Sequence, residues 1–524
     1  MSDLSLEGSK PCPRTPLKLA LNAIVAVFCT LAPHLGAAES VTVSRVEAFD
    51  VSQPFQSYWY FDVQAHPSIN RDMDLIYNPV AAQQNQGDPI RFTIATFQRI
   101  DAFPLGGVSY VYQEDLSLSG CEFPTDPGGD PTTFFLQNAF AVSPDGRWFA
   151  MLTDRKPLNL YESDWNNIQE NISIFDLQDP QGDCAIVFTE TFYAGLGSSL
   201  FFTPDSGHLI VGIPYARWAD SAWGQTQGKV WDVELDESEN WSYSGGPQLF
   251  NGLPNFHSSY GYSVAGSTHG NVVAVMNNSA RNKESEANLA LDQYPDMGHI
   301  PENDIRTPSL PGLTIVEGDE VTHFGFSNVS ESEYHESARE RWTRAGIGEM
   351  VDISASGNVA VALHYDYTGY SGPDPTPYGR DFIHTATRSG SGWNMTSQPI
   401  DLSVCASLNP DFSYNSSWGI QLSADGKRLA LVGWIGSEFG LCLLTRSSGE
   451  WVPLTETSAE LTLLARENGM TASASRKSIR ASADLSRILV QTNSTLFQAD
   501  LTWQSDIPIG ALMLLLRRNS DEEE

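Results

Sequence analysis

The sequence predicts an all-β chain folded as a single β-propeller, most simply of seven four-stranded blades, and three observations lead there. One phrase recurs along the chain: apolar strand, Asp-Gly-type turn, apolar strand. Strand-like segments fill the intervals between its copies. And 524 residues are more than one hydrophobic core usually encloses, unless that core is a ring of repeats.

The phrase is clearest at Ala141-Val-Ser-Pro-Asp145-Gly146-Arg-Trp-Phe-Ala150 and at Leu422-Ser-Ala-Asp425-Gly426-Lys-Arg-Leu-Ala430. Looser copies centre on Asp205, His269, Ser356 and Asp484, and a weaker seventh lies between Phe61 and Tyr77. Successive turns are about 61, 63, 87, 69 and 59 residues apart, close to one four-stranded unit each. Third strands follow, such as Asn171-Ile-Ser-Ile-Phe-Asp-Leu177 and Lys229-Val-Trp-Asp-Val-Glu-Leu235. Their alternating and β-branched residues, flanked by Gly, Asp and Ser, suit strands rather than helices. Trp241, Trp393 and Trp451 recur between the third strand and the outer one.

The flanks read differently. Lys10, Arg14 and Lys18 precede an apolar stretch at 19–31, and Gly36-Ala37-Ala38 offers small residues for cleavage before Glu39. Residues 1–38 are therefore expected to be a cleaved signal peptide, since thirteen apolar residues are short for a membrane span. The propeller is expected over 39–518, with an acidic tail at 519–524. The apolar run at 507–516 is expected to be a last strand rather than an anchor. Export places the protein in a secreted, periplasmic or other extracellular setting. The sequons at Asn171, Asn240, Asn277, Asn328, Asn394, Asn415 and Asn493 would be glycosylated on a eukaryotic route and mean nothing on a bacterial one.

Export also gives the cysteines a meaning. Cys121, Cys184, Cys405 and Cys442 remain after cleavage, enough for two disulfides with three possible pairings. Cys121 and Cys184 bracket one turn, as do Cys405 and Cys442, so these are the expected pairs. No Cys/His spacing suggests zinc, and neither a metal nor a cofactor is expected. The net charge of −34, from 64 acidic and 30 basic residues, speaks against nucleic acid, whose counterions only a basic surface replaces.

A resemblance appears at 241–275. Trp241-Ser-Tyr-Ser-Gly245, Leu249-Phe-Asn-Gly252, Tyr260-Gly261-Tyr-Ser263-Val264 and Val272-Val-Ala-Val275 follow in order, and Gly212-Ile-Pro214 stands upstream. This resembles the FG-GAP repeats of integrin α-subunit propellers, with TolB-like and WD-repeat propellers as neighbouring possibilities. The resemblance implies a propeller that binds partners. Calcium-binding FG-GAP repeats carry several carboxylates in the turn; here each turn has at most one, so no calcium site carries over.

Functional expectations fall on the longer loops after the second strand, where recognition concentrates. One holds Tyr215, Arg217, Trp218, Asp220 and Trp223; the other holds His364, Tyr365, Asp366, Tyr367, Tyr370, Arg380 and Asp381. Aromatic rings beside Asp and Arg suit a glycan or an extracellular protein partner. A polysaccharide lyase or glycosidase is the alternative, with His364, Tyr365 and Arg380 as base, acid and charge neutraliser, or Asp220, Asp366 and Asp381 as paired carboxylates. A further departure is the long interval after His269, where 278–345 is polar apart from Leu313-Thr-Ile-Val316 and Val321-Thr-His-Phe324.

Overall fold

The computed structural model describes residues 40–50, 60–61, 68–69, 73–83, 91–102, 107–117, 140–154, 168–180, 185–192, 199–213, 229–242, 250–251, 260–277, 312–325, 351–368, 378–400, 405, 415–435, 438–470, 478–491 and 495–504. They form seven antiparallel sheets in chain order, each with a path of four neighbouring strands. From the second sheet to the seventh, the strand before each turn is innermost. These are Phe140–Val142, Ser199–Phe202, Tyr260–Gly266, Val351–Ile353, Asn415–Leu422 and Ser478–Ala481, and each packs against the next. Side chains between adjacent sheets make the core, as where Leu200, Phe202 and Trp241 of the third sheet meet Trp148 and Ile174 of the second.

The ring joins through its first strand. Ser40–Asp50 is the outer strand of the seventh sheet, paired antiparallel with Thr495–Gln504. The first and last described strands are thus held together by a ladder. Sheet order, successive packing and this closure make the fold a β-propeller.

The weak copy near Phe61 is a real unit: Ser68–Ile69 pairs with Leu75–Gln83, and Met73 takes the left-handed φ of 55° found at the other turns. Trp241, Trp393 and Trp451 are the first or second residues of the outer strands, directly opposite Leu235, Arg388 and Arg446. In the long interval, Gly312–Glu317 and Glu320–Gly325 are the third and fourth strands of the fourth sheet; 278–311 and 326–350 lie outside the described residues. Cys405 and Cys442 form a disulfide, tying the segment before the sixth sheet to that sheet's third strand. Cys121, Cys184, residues 1–38 expected as a leader, the run at 507–516 and the residues at 519–524 lie outside the described residues. Among those described, no helix is long and apolar enough to cross a membrane.

One element departs from the all-β reading. Helix α1, Thr455–Glu467, follows the short outer strand Glu450–Pro453 of the sixth sheet. That outer strand covers only 444–447 of its neighbour, leaving the backbone groups at 439–443 to be satisfied otherwise. The helix does so. Leu443 N–H donates to Ser458 Oγ at 2.9 Å and Leu441 N–H to Thr462 Oγ1 at 3.0 Å, while Arg466 donates to the Phe439 carbonyl at 2.9 and 2.7 Å. The fit is geometric: four helical residues rise about 6 Å, and two strand residues span about 6.6 Å. Residues at i, i+4 and i+8 of a helix can therefore serve every second residue of a strand edge. Thr457 also donates to the Val41 carbonyl at 2.9 Å, joining the helix to the closing strand.

Replacing Thr462 by the isosteric Val should leave the buried Leu441 N–H unpaired and cost about 1–3 kcal/mol. Urea unfolding monitored by tryptophan fluorescence measures it, and Leu463→Ala on the exposed face of the same helix should cost less than half as much.

Candidate functional site: the turn collar and the central channel

The recurring phrase is built around a hydroxyl. In six copies its first polar residue is Ser143, Thr203, Ser267, Ser354, Ser423 or Ser482. Each hydroxyl oxygen accepts from the backbone N–H five residues on: Trp148, His208, Val272, Val359, Arg428 and Arg487, at 2.8 to 3.1 Å. In four copies it also donates to the turn carboxylate, Asp145, Asp205, Asp425 or Asp484. Those carboxylates in turn accept from backbone N–H groups two residues later. Burial pushes the Asp205 carboxyl upward, but hydrogen bonds from Thr203, His269 and Gly207 prevail and hold it below its ordinary value. The turn carboxylates are scaffold.

The hydroxyl, rather than the glycine, marks the register of the turn. The residue three positions on has positive φ throughout: Gly146, Ser206, Gly270, Gly357, Gly426 and Leu485. In the third sheet the left-handed residue is Ser206, and its neighbour Gly207 is not left-handed.

The turns link into a collar. Thr268 N–H donates to the Ala355 carbonyl at 3.0 Å, Ala355 to Ala424 at 3.0 Å and Ala424 to Ala483 at 2.7 Å. The equivalent residues in the second and third sheets are Pro144 and Pro204, which have no N–H to give. There the next residue takes over, with Asp145 N–H reaching Ser206 Oγ at 3.2 Å and Asp205 N–H the Thr268 carbonyl at 3.3 Å. Tyr77 of the first sheet donates to the Gly146 carbonyl at 3.1 Å.

Outside the collar, Arg and His side chains bridge successive sheets. Arg147 pairs with Asp176 of its own sheet at 2.9 Å and Glu239 of the next at 2.7 Å, its guanidinium 4.5 Å above the Trp148 ring. Asp205 and His269 join the third and fourth sheets at 2.8 Å, and Glu317 and Arg388 join the fourth and fifth. Arg446 donates to Thr387 at 2.7 Å, joining the fifth and sixth. Arg428 donates to the Asp484 carbonyl at 2.9 Å and lies 4.3 Å above the Trp503 ring, joining the sixth and seventh.

Inside the collar lies a cavity of about 290 Å³, lined by the innermost strands of six sheets. Its wall is stitched by side-chain oxygens reaching the next strand. Val264 N–H donates to Ser199 Oγ at 3.3 Å and Val351 N–H to Ser263 Oγ at 3.2 Å. Asp352, only 6 % exposed, does the same between the fifth and sixth sheets. Its Oδ2 accepts from Leu422 N–H at 2.6 Å and Gln421 Nε2 at 2.9 Å, and its Oδ1 from Ile353 N–H at 2.8 Å. Sequence reasoning missed these residues. Asp352, Gln421 and Arg480 stand at one register position, two before the phrase's Ser, and that shared offset was a usable signal.

The residues expected from the sequence fall elsewhere. Tyr215, Arg217, Trp218, Asp220, Trp223 and Tyr370 lie outside the described residues. The backbone of the other loop is a continuation of the fifth sheet's second and third strands, Val359–Thr368 and Tyr378–Ser389. His364 stands opposite Phe382, Tyr365 opposite Asp381, Asp366 opposite Arg380 and Tyr367 opposite Gly379. The side chains at 364–381 lie outside the described residues. This ladder has ten pairs, against eight in the first and sixth sheets, the next longest between second and third strands. Because the inner strand pairs only with 360–362 and the outer strand only with 381–389, residues 366–368 and 378–380 form a two-stranded ribbon past the sheet. Strand alternation puts it on the face opposite the collar. Among the described residues no group of three or more His, Cys, Asp or Glu is arranged to hold a metal ion.

No protein family model matches the chain, FG-GAP repeats included, and no curated protein matches it. Among solved structures it is similar to TolB from Acinetobacter baumannii, at 11 % identity over 84 % of this chain and 88 % of that one, with a TM-score of 0.31. It is similar to the Cps50 (Swd1) β-propeller domain of Myceliophteria thermophila, at 11 % identity over 71 % of this chain and all of that one, with a TM-score of 0.29. A putative 6-phosphogluconolactonase from Bacteroides uniformis gives 12 %, 76 %, 84 % and 0.36 for the same quantities. These values are low, and the propeller assignment rests on the chain's own strand order and packing.

His208 makes the collar side of the third sheet pH-sensitive. Its Nδ1 lies 3.0 Å from Asp232, whose hydrogen bond raises the imidazole above its ordinary value against the opposing effect of burial. A group raised on folding contributes stability that is complete below its unfolded pKa, about 6.5, and lost as pH rises through the folded value. Thermal unfolding between about pH 5.5 and 9 should therefore show a fall in Tm that Asp232→Asn flattens.

Proposed function

We propose that this chain is an exported, seven-bladed binding propeller that recognises a glycan or an extracellular protein through the loop face opposite the collar. The observation that carries the reading is the ribbon at 366–368 and 378–380, the extension of the longest ladder between second and third strands. It places the backbone of Asp366, Tyr367, Tyr378 and Arg380 beyond the sheet, where rigidity comes from the ladder. Tyr and Arg are the residue types that most often anchor glycan and protein interfaces.

Export is supported by the disulfide at Cys405 and Cys442, since such bonds persist in oxidising compartments. The FG-GAP-like phrases around 241–275 agree with a partner-binding role. Asn240 and Asn394 are exposed and would accept glycans on a eukaryotic route.

A glycan array and pull-downs from the native extracellular medium, analysed with the secreted protein, test the reading. Tyr367→Ala with Arg380→Ala should weaken the captured interaction about tenfold or more without changing Tm, as for central anchors. Depolymerisation of an acidic glycan that His364→Ala abolishes would instead establish the lyase alternative.

A further inference from the structure

Two neighbouring sheet junctions are built alike, except that one of them lacks a carboxylate. The phrase's hydroxyl holds a second-strand residue, and the third-strand residue opposite it is an acid in four sheets. These are Asp176, Glu234, Glu317 and Asp500 of the second, third, fourth and seventh. The fifth and sixth sheets carry Thr387 and Thr445 there instead. The next residue along is Arg388 in the fifth sheet and Arg446 in the sixth, and each reaches back to this position in the preceding sheet. Arg388 meets the Glu317 carboxylate, whereas Arg446 Nη2 donates to the Thr387 hydroxyl at 2.7 Å. The two guanidiniums are otherwise placed alike, each 6.0 Å from the ring centre of the tryptophan opposite it, Trp393 or Trp451.

The second junction is a fixed frame. Gln398 of the fifth sheet clamps the Trp451 backbone, its Nε2 donating to the carbonyl at 2.6 Å and its Oε1 accepting the N–H at 2.8 Å. Thr385 accepts the Trp451 indole N–H at 2.8 Å. Beyond Thr387, Arg446 reaches only the Gly449 carbonyl, with Nε at a long 3.5 Å, and among the described residues it pairs with no carboxylate. A guanidinium has five N–H donors, so donors remain, and Thr387 keeps its own O–H to give. Burial pushes the Arg446 guanidinium below its ordinary value with no acid opposing it, while hydrogen bonds to Glu239 and Asp176 raise that of Arg147. A half-buried charge ordinarily has a counter-charge. Here the chain supplies none.

We propose that the junction of the fifth and sixth sheets binds a small oxoanion, a carboxylate or sulfate group, in the place that the Glu317 carboxylate fills one junction earlier. Arg446 supplies the charge and its remaining N–H groups, and Thr387 donates its O–H to the same anion. The site opens at the collar-side rim, beside the exposed turn residues Ser448, Gly449 and Glu450. The group can therefore belong to a free ion or to a sugar acid that carries it. This site is separate from the ribbon on the opposite face and does not depend on what binds there.

Titration calorimetry on the purified protein at low ionic strength, with sodium sulfate, sodium acetate and sodium D-glucuronate, tests the assignment. At least one of the three should bind saturably at a single site. Tighter binding of glucuronate than of acetate identifies a sugar-borne group, and equal binding a free ion. Thr387→Glu rebuilds the Glu317 arrangement within the chain and should abolish binding. Arg446→Gln should weaken it by about tenfold to a hundredfold, the fold-change of a charge-assisted hydrogen bond. Thr387→Glu carries the test if Arg446→Gln does not fold, as judged by circular dichroism and Tm. Tyr367→Ala with Arg380→Ala should leave anion binding intact. The assignment is overturned if none of the three anions binds saturably, or if Thr387→Glu or a folded Arg446→Gln binds as wild type does.

Discussion

A ring of sheets has one recurring problem: the innermost strand of every sheet has an edge with no strand beyond it. Buried backbone groups must find partners, and an open edge invites other strands. This protein meets the constraint with side-chain oxygens from the neighbouring sheet, Ser199 on Val264, Ser263 on Val351 and Asp352 on Leu422. At the collar it uses the turns themselves, the third to the sixth each donating a backbone N–H to the next. On the outer side, Ser458, Thr462 and Arg466 of helix α1 serve the strand edge that the outer strand of the sixth sheet leaves bare. Sheet spacing, channel width and placement of the loop faces all depend on these links.

Charge is used in the same economical way. With 64 acidic and 30 basic residues the folded chain repels itself. Arg147, His269, Arg388, Arg446 and Arg428 stand one at each of five successive sheet junctions, where a basic side chain meets an acid, a hydroxyl or a carbonyl of the neighbouring sheet. Arg147, Arg388, Arg428 and Arg446 also cover tryptophan rings, which adds attraction that salt screens less than an exposed ion pair. Exposed partners such as Glu239 contribute little individually; their positions at junctions give them their structural role.

The candidate sites were unevenly legible. The turn carboxylates read correctly as scaffold, because an Asp in a tight turn has local partners in the sequence itself. Asp352, Gln421 and Arg480 did not read as a group, since 69 and 59 residues separate successive members and only ring closure makes them neighbours. His364 to Asp381 read as a loop, yet much of it is ladder: the strand pairing of Asp366 with Arg380 is a long-range choice that the local composition, Tyr, Asp and Gly, does not announce. Helix α1 escaped because one amphipathic helix in a β-repeat is selected by the strand edge it covers.

The sequence by itself determined the all-β class, the repeat, the position of the turns and the Cys405–Cys442 pair, all of which follow from local patterning and spacing. The tertiary structure decided which residues face one another across the channel, where cations bridge sheets, and how the first strand closes the ring. The physical reason is range. A turn is fixed by hydrogen bonds within about six residues, whereas the channel and junctions exist only when strands far apart in sequence are packed side by side. The recurring hydroxyl of the phrase belongs to both: its sequence position is local, and the register it sets carries through the whole ring.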